Sequence, residues 1–511
     1  MLQMTYSSTS LAEGTQAKAG ADEPQLRTPL QILKPGRNCW RVETASRAAV
    51  LVDGEAFYGR LDQSLRSAQR SIQMIGWDFD AIIRLRPQDG EESERVGPLL
   101  RSLVEERPDL EISILVWNLS LLHAPSATLP HLLGEKWQDH PRISVKLDAH
   151  HPALAAQHQK VIVIDGQVAF VGGFDLTVDR WDTSLHPAED ERRRKPDGTP
   201  YGPVHDIQMV VEGEVARALA ELAAIEWRRA GGGDIAPSVA PSDAWPAGLA
   251  PDFTNVPVAI ARTRPRWRRE REIREAADLT GDAIRAARKS IYIEAQYFTD
   301  FRLGQLIAAR LREPDGPEVV VVVTRQMHGF IEGLFMNSNR SRLVRKLSRA
   351  DRYDRLRVWH PVVPDGDQEC GILIHAKLVI VDDKFLRVGS SNLNNRSTGF
   401  DLECDLAVEA TNSARAGIEA MRARLIGEHI GETPEAVAAT IAAEGSLIRA
   451  IETLNRNERR LAPFTLKEKG PIRPVLGTRL IDPARSSRWL SPFRRFWRKR
   501  RRRRAAGFRS P

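Results

Sequence analysis

Cysteine is scarce in this chain: Cys39, Cys370 and Cys404 are the only three in 511 residues, and they are scattered. That argues against a disulfide framework or a cysteine-built zinc site, fits a reducing cytoplasm, and leaves all three as packing residues. No run of about 18 apolar residues occurs, so no membrane-spanning helix is expected. The opening stretch Met1–Gln25 is polar and lacks a basic region followed by an apolar one, so it does not read as a signal peptide. Net positive charge is also missing from most of the molecule. The net charge is +8, but Arg494 to Arg504 (RRFWRKRRRRR) hold nine basic residues, and without them the rest carries −1.

The basic arm suits an anionic lipid surface or nucleic acid. Its neighbours Trp489, Leu490, Phe493, Phe496 and Trp497 favour the membrane surface, because aromatic rings beside cations sit well at headgroup level. The plainer alternative is a solvated tail without a specific partner. Cytoplasmic residence with peripheral membrane association is the expectation.

The body is a duplication. LRSAQRSIQMIGWDFD, Leu65 to Asp80, matches IRAARKSIYIEAQYFTD, Ile284 to Asp300; each is a helix end followed by a short strand. Buried-type strands follow, EISILVW from Glu111 and EVVVVVT from Glu318, then RISVKLD from Arg142 and RLRVWHP from Arg355. Next come HQKVIVIDGQVAFVGG and HAKLVIVDDKFLRVGS. Ser71 precedes His158 by 87 residues and Ser290 precedes His375 by 85, so order and spacing repeat. Strands alternating with helices predict an α/β fold: two repeated lobes, each a mixed sheet flanked by helices. The expected organisation is a disordered 1–29, a first lobe 30–230, a linker 231–269, a second lobe 270–430, a helical appendage 431–485 and a basic aromatic tail 486–511. Thr183 to Pro203 reads as a loop insertion in the first lobe.

The chemistry lies in H-x-K-x4-D, present as His158, Lys160, Asp165 and again as His375, Lys377, Asp382. Residues two apart on a strand share a face, so each His projects beside its Lys. Pseudo-two-fold pairing of the repeats then brings two His and two Lys into one cleft. A neutral imidazole can attack phosphorus, a protonated one can protonate the leaving alkoxide, and lysines stabilise the non-bridging oxygens. With that fixed positive charge the site is read as needing neither metal nor cofactor. Downstream, Gly389, Ser390 and Asn392 match Gly172, Gly173 and Asp175. The glycines are read as letting backbone approach a phosphate, and Asn392 as a donor to it, a role an ionised Asp175 cannot fill. Glu403 follows His375 by 28 residues, and Asp206 aligns with it in the first half. The expectation is that Asp206 orients His158 and Glu403 orients His375, the competing reading being ordinary strand-end acids. His150, His151 and His360 read as exposed polar residues or rim contacts rather than metal ligands.

With these residues in view, the chain resembles the phospholipase D superfamily from roughly Gln31 to Ala410. AFVGGFDL, IYIEAQYF and IHAKLVIVDDKFLRVGSSNLNNRS look like its phospholipase branch. The resemblance implies one active site between two α/β lobes, a phosphohistidine on His158, His375 as acid and then base, and no metal. It implies that Asp165 and Asp382 brace the site without touching phosphate, and it adds Glu294 and Tyr297 as site-lining residues. Unlike many plant and animal members, no calcium- or phosphoinositide-binding module is seen ahead of the first motif; unlike typical cardiolipin synthases, no membrane spans are seen. A phospholipase D acting on phospholipid, with possible transfer to alcohols, is the leading reading. Behind it stand a cardiolipin-synthase-like phosphatidyltransferase, a nuclease, which the near-neutral body disfavours, and a non-enzymatic membrane scaffold, which has no need of two His-Lys pairs. A monomer suffices for such a site.

Overall fold

A computed structural model of the chain describes residues 32–118, 136–235, 243–325, 330–410, 414–466 and 482–485. The tail 486–511 and the stretch 1–29 lie outside the described residues. Fourteen strands run side by side in one continuous mixed sheet. From its first edge to the middle they are Ile143–Asp148, Glu111–Trp117, Ser71–Gly76, Val161–Ile164, Val168–Gly172, Ile207–Gly213 and Arg41–Val52. From the middle outward follow Phe253–Arg264, Glu403–Glu409, Phe385–Gly389, Lys377–Val381, Ser290–Ala295, Glu318–Val323 and Leu356–Asp365. The second set repeats the first in mirrored order. The seam is the antiparallel pair Arg41–Val52 and Phe253–Arg264, with Arg41 opposite Ile260 and Ala48 opposite Phe253.

The strand Phe253–Arg264 corrects the linker expectation for 231–269. Val256, Val258 and Ile260 alternate into the core while Ala259 and Ala261 fill the other face, so the segment is a central strand. Pro257, which cannot donate to a ladder, hid it in the sequence. The appendage also differs from an all-helical piece. After helices Pro434–Glu444 and Leu447–Leu454 it adds strand Arg460–Pro463 beside Trp359–Val362 of the second lobe.

Alternation along the strands builds three cores. Ile72, Ile112, Ile114 and Ile162 face outward onto Phe57, Leu61 and Leu99 of helices Asp53–Ser67 and Val96–Glu106. Ile291, Ile293, Val319 and Val321 do the same with Leu279 and Ile307 of helices Glu275–Ala286 and Phe301–Leu311. The opposite faces meet in a shared core, where Val161, Met209, Leu378 and Leu406 pack with helices Glu214–Arg229 and Arg415–Ile430. Each large aliphatic side chain buried there contributes about 1.5–3 kcal/mol. The shared core fixes the lobes against each other, and the site depends on that.

Asp165 and Asp382 occupy equivalent hairpin turns, each with φ 52°. The Asp165 carboxylate accepts from the backbone N–H groups of Gln69, Arg70 and Ser71, at 2.7–2.9 Å. Asp382 accepts from Arg288, Lys289 and Ser290 in the same way. Each ties the hairpin to the start of the neighbouring strand, about 16 Å along the chain from its motif lysine. His151 and His360 are buried rather than exposed; His151 contacts the carbonyls of Asp148 and Pro152. Among the described residues no helix is long and apolar enough to cross a membrane.

Candidate active site

Both motif histidines sit just before their strands, Val161–Ile164 and Lys377–Val381, where the backbone leaves its own ladder for the other lobe. The His158 N–H donates to the Leu402 carbonyl at 2.9 Å, and the His375 N–H to the His205 carbonyl at 2.8 Å. The bridge Gln157–Leu402 and the short pairing of Leu373–Ile374 with Val204–His205 are the two halves of this exchange.

The exchange overturns the expected acid–base pairing. His158 Nδ1 lies 2.9 Å from Glu403 Oε2, and His375 Nδ1 lies 2.5 Å from Asp206 Oδ2. Each acid serves the histidine of the opposite lobe. Within one lobe the acid-bearing and histidine-bearing strands are separated by a third strand, whereas the crossed backbone bonds put Leu402–Glu403 against His158 and His205–Asp206 against His375. Both carboxylates and both rings are largely buried, and with Nδ1 engaged, Nε2 is the nitrogen left to each ring for substrate. Burial and then the motif lysines push both imidazoles well below their ordinary range, so both are neutral in the free protein.

The lysines are held differently. Lys160 Nζ makes a 2.9 Å ion pair with Asp175 Oδ2, while Asp175 Oδ1 accepts from the Trp77 N–H at 2.9 Å. Lys377 Nζ meets the Gln296 Oε1 amide oxygen at 3.1 Å and the His375 carbonyl. With an amide in place of a carboxylate, burial draws Lys377 down to about 7. Arg180 adds a third cation that acts on both His375 and Asp206.

The remaining residues divide. Ser390 Oγ donates to Glu403 Oε2 at 2.6 Å and accepts from the Cys404 N–H, clamping the acid on His158. Gly173 stands at the matching place in the first lobe, and a Cβ there would lie 2.0 Å from Asp206 Oδ1. A Cβ on Gly389 would lie 2.1 Å from Asp405 Oδ1. The space at both glycines is therefore taken by carboxylates and not by an approaching phosphate, which corrects the sequence reading. Asn392 is buried with no hydrogen-bond partner on its side-chain oxygen. Glu294 does not line the cleft: it accepts from Tyr292 Oη and pairs with His205 and His429 in a fully buried cluster behind Asp206. Tyr297 follows Gln296, whose N–H donates to the Ala376 carbonyl of the second motif. Arg180 was missed in the sequence because it belongs to no repeated segment, and Gln296 because it stands opposite Trp77 in the matching segment, a position where the two halves differ.

Paired imidazoles and lysines across a lobe boundary, on a two-lobed α/β fold, are a set of groups suited to phosphodiester chemistry. Residues 281–423 match the family model "Cardiolipin synthase, PLD-like domain". Phospholipase D A of Dictyostelium discoideum is 26% identical over 467 residues, covering 75% of this chain and 35% of that protein. The cardiolipin synthase of Halalkalibacterium halodurans is 25% identical over 380 residues, covering 73% of this chain and 64% of that one. Phosphatidylserine synthase of Haemophilus influenzae Rd KW20 shares the fold, with TM-score 0.51 at 14% identity over 81% of this chain and 96% of that one. These matches support the phospholipase D superfamily for this chain. The chain spans about a third of the length of the Dictyostelium relative.

Proposed function

We propose that the chain is a phospholipase D, cleaving glycerophospholipids to phosphatidic acid and a free headgroup alcohol through a phosphohistidine. The observation that carries this is the crossed pair of histidine–carboxylate bonds, which leaves two Nε2 atoms and two lysines to one phosphodiester. His158 is the nucleophile, in keeping with its ring being 16% exposed against 6% for His375. Its Nε2 attacks phosphorus, and the P–O bond to the headgroup breaks. His375 Nε2 gives its proton to the departing alkoxide. An anionic substrate between Lys160 and Lys377 offsets the field that keeps His375 neutral in the free protein, so the acid is loaded as substrate binds. In the second half, His375 takes a proton from water; the hydroxyl attacks phosphorus, the P–N bond breaks and phosphatidic acid leaves. A primary alcohol in place of water gives transphosphatidylation.

A phosphatidyltransferase of the cardiolipin-synthase kind uses the same steps with a lipid alcohol as acceptor, and the family model that matches the second lobe favours keeping it second. Product analysis separates the two. Vesicles of phosphatidylcholine and phosphatidylethanolamine with a little ethanol should yield phosphatidic acid and phosphatidylethanol, and neither with His158→Ala. Transfer to phosphatidylglycerol without hydrolysis would select the transferase. Intact lipid together with cleaved nucleic acid would reject both.

A further inference from the structure

Behind the Asp206–His375 pair lies a second histidine–carboxylate cluster, which the proposed reaction does not use. Asp53 begins helix Asp53–Ser67 of the first lobe, and Glu428 lies in helix Arg415–Ile430 of the second. His186 comes from the loop 183–203, and His205 from the strand Val204–His205. His205 Nδ1 is 2.9 Å from Asp53 Oδ1 and 3.0 Å from Glu428 Oε1. His186 Nε2 is 3.4 Å from Asp53 Oδ2 and 3.3 Å from Glu428 Oε1.

Hydrogen bonding accounts for one contact of this convergence, His186 Nε2 with Glu428 Oε1 at 3.3 Å, and not for the rest. Both Asp53 oxygens and His205 Nδ1 lack any hydrogen-bond partner, although Asp53 is 1% and His205 0% exposed. Buried polar atoms close together but misaligned for hydrogen bonds are what a shared cation satisfies. Ligand atoms arranged tetrahedrally about an ion at 2.0–2.1 Å stand about 3.3 Å from one another, which these separations approach. The far ring nitrogens are also set for the purpose. His186 Nδ1 meets Asp182 Oδ2 at 2.8 Å and His205 Nε2 meets Glu294 Oε2 at 2.8 Å, so each tautomer presents a lone pair to the centre.

Charge and backbone agree. The carboxylates of Asp53, Asp182, Glu294 and Glu428 are faced by Arg193, paired with Asp182 at 3.0 Å, and by Arg459, which senses Glu428 and Asp53. Two negative charges are left among these groups when the imidazoles are neutral; a dication offsets them, as would two protonated imidazoles, for against the opposing effect of burial the surrounding carboxylates raise His186 to about 10 and His205 well above its ordinary range. Asp53 and His186 hold left-handed backbone, φ 67° and 45°, a strain kept where a site over-determines it.

We infer that Asp53, His186, His205 and Glu428 bind one divalent transition-metal ion, with Zn2+ the best match to an N2O2 tetrahedral set. Four protein ligands close the coordination sphere, which makes the centre structural. It ties the first lobe, its inserted loop and the second lobe together. It also steadies the strand that bears Asp206, because the His205 carbonyl receives the His375 N–H.

The test is metal content, read apart from any lipid activity. Untagged full-length protein is stripped with dipicolinate, refilled with ZnCl2 and measured by plasma mass spectrometry. One Zn2+ per chain is expected, with a raised Tm and, on Co2+ refilling, the intense visible bands of a tetrahedral site. Glu428→Gln should lose the ion. Glu294→Gln, which only positions His205, should weaken affinity roughly tenfold to a hundredfold. His158→Ala should keep it. Failure of the stripped wild-type chain to take up Zn2+, or loss of the ion from His158→Ala but not from Glu428→Gln, overturns the assignment. Neither outcome bears on the phospholipase reading, which rests on the other cleft.

Discussion

The two lobes share seven strands in the same order and the same His-Lys-Asp motif, yet their halves of the cleft are not copies. In the first lobe Lys160 faces a carboxylate, and a glycine leaves room for the acid Asp206. In the second, Lys377 faces an amide, and Ser390 clamps the longer acid Glu403. Crossing of the acids then gives His158 the clamped glutamate and His375 the aspartate. A duplicated scaffold supplies two equal positions, and small substitutions around them allow unequal tasks, nucleophile on one side and acid–base on the other.

That comparison can be broken most sharply by leaving groups. His158→Ala should reduce turnover of natural phospholipid by at least about 10⁴-fold, as loss of a covalent nucleophile does. His375→Ala should be as poor on phospholipid but recover on a p-nitrophenyl phosphodiester, whose phenolate leaves without a proton, measured as the burst of p-nitrophenol. Recovery of His158→Ala instead would reverse the assignment. Next in size, Glu403→Gln and Asp206→Asn should each cost about 10²–10⁴-fold, since each disturbs the tautomer of its partner. Only Asp206→Asn should be relieved by the better leaving group.

A further difference is electrostatic. Lys377 is drawn down to about 7 from its ordinary 10.5. Below about 7 it is charged and grips the phosphodiester, and above it the ammonium is lost. The pH profile of kcat/KM, which reports the free enzyme, should therefore fall as pH rises past about 7. Lys377→Arg should shift that limb upward, because guanidinium stays charged. An unmoved limb would assign it elsewhere. The smallest effects belong to the hairpin aspartates: Asp165→Asn and Asp382→Asn should each cost about 1–3 kcal/mol in urea unfolding by weakening the three-donor brace, with kcat little changed where the fold persists.

Much of this was legible in the sequence, for a physical reason. The motif triads are local, so spacing alone places each lysine near its histidine, and the repeat predicted the two-lobed α/β fold. The acid pairing was not legible. Glu403 is 245 residues from His158, and Asp206 is 169 from His375. Alignment of repeats pairs like with like, whereas the chain exchanges them across the lobe boundary. Strand Phe253–Arg264 was concealed by Pro257 and by the arginines and glycines around it. The segment Thr183 to Pro203 was read only as a loop insertion, yet it delivers His186 and Arg193 fully buried. The Asp53–Glu428 cluster draws on four distant segments, so no spacing rule could have shown it.

The central claim is that one histidine carries the phosphatidyl group while the other moves protons. Rapid quenching with labelled phosphatidylcholine, followed by peptide mapping under mild alkali, tests it directly. Label should be found on the peptide bearing His158, and should accumulate in His375→Ala supplied with a p-nitrophenyl phosphodiester labelled in its phosphoryl group. Label on His375, or full turnover with no labelled histidine, would contradict the account.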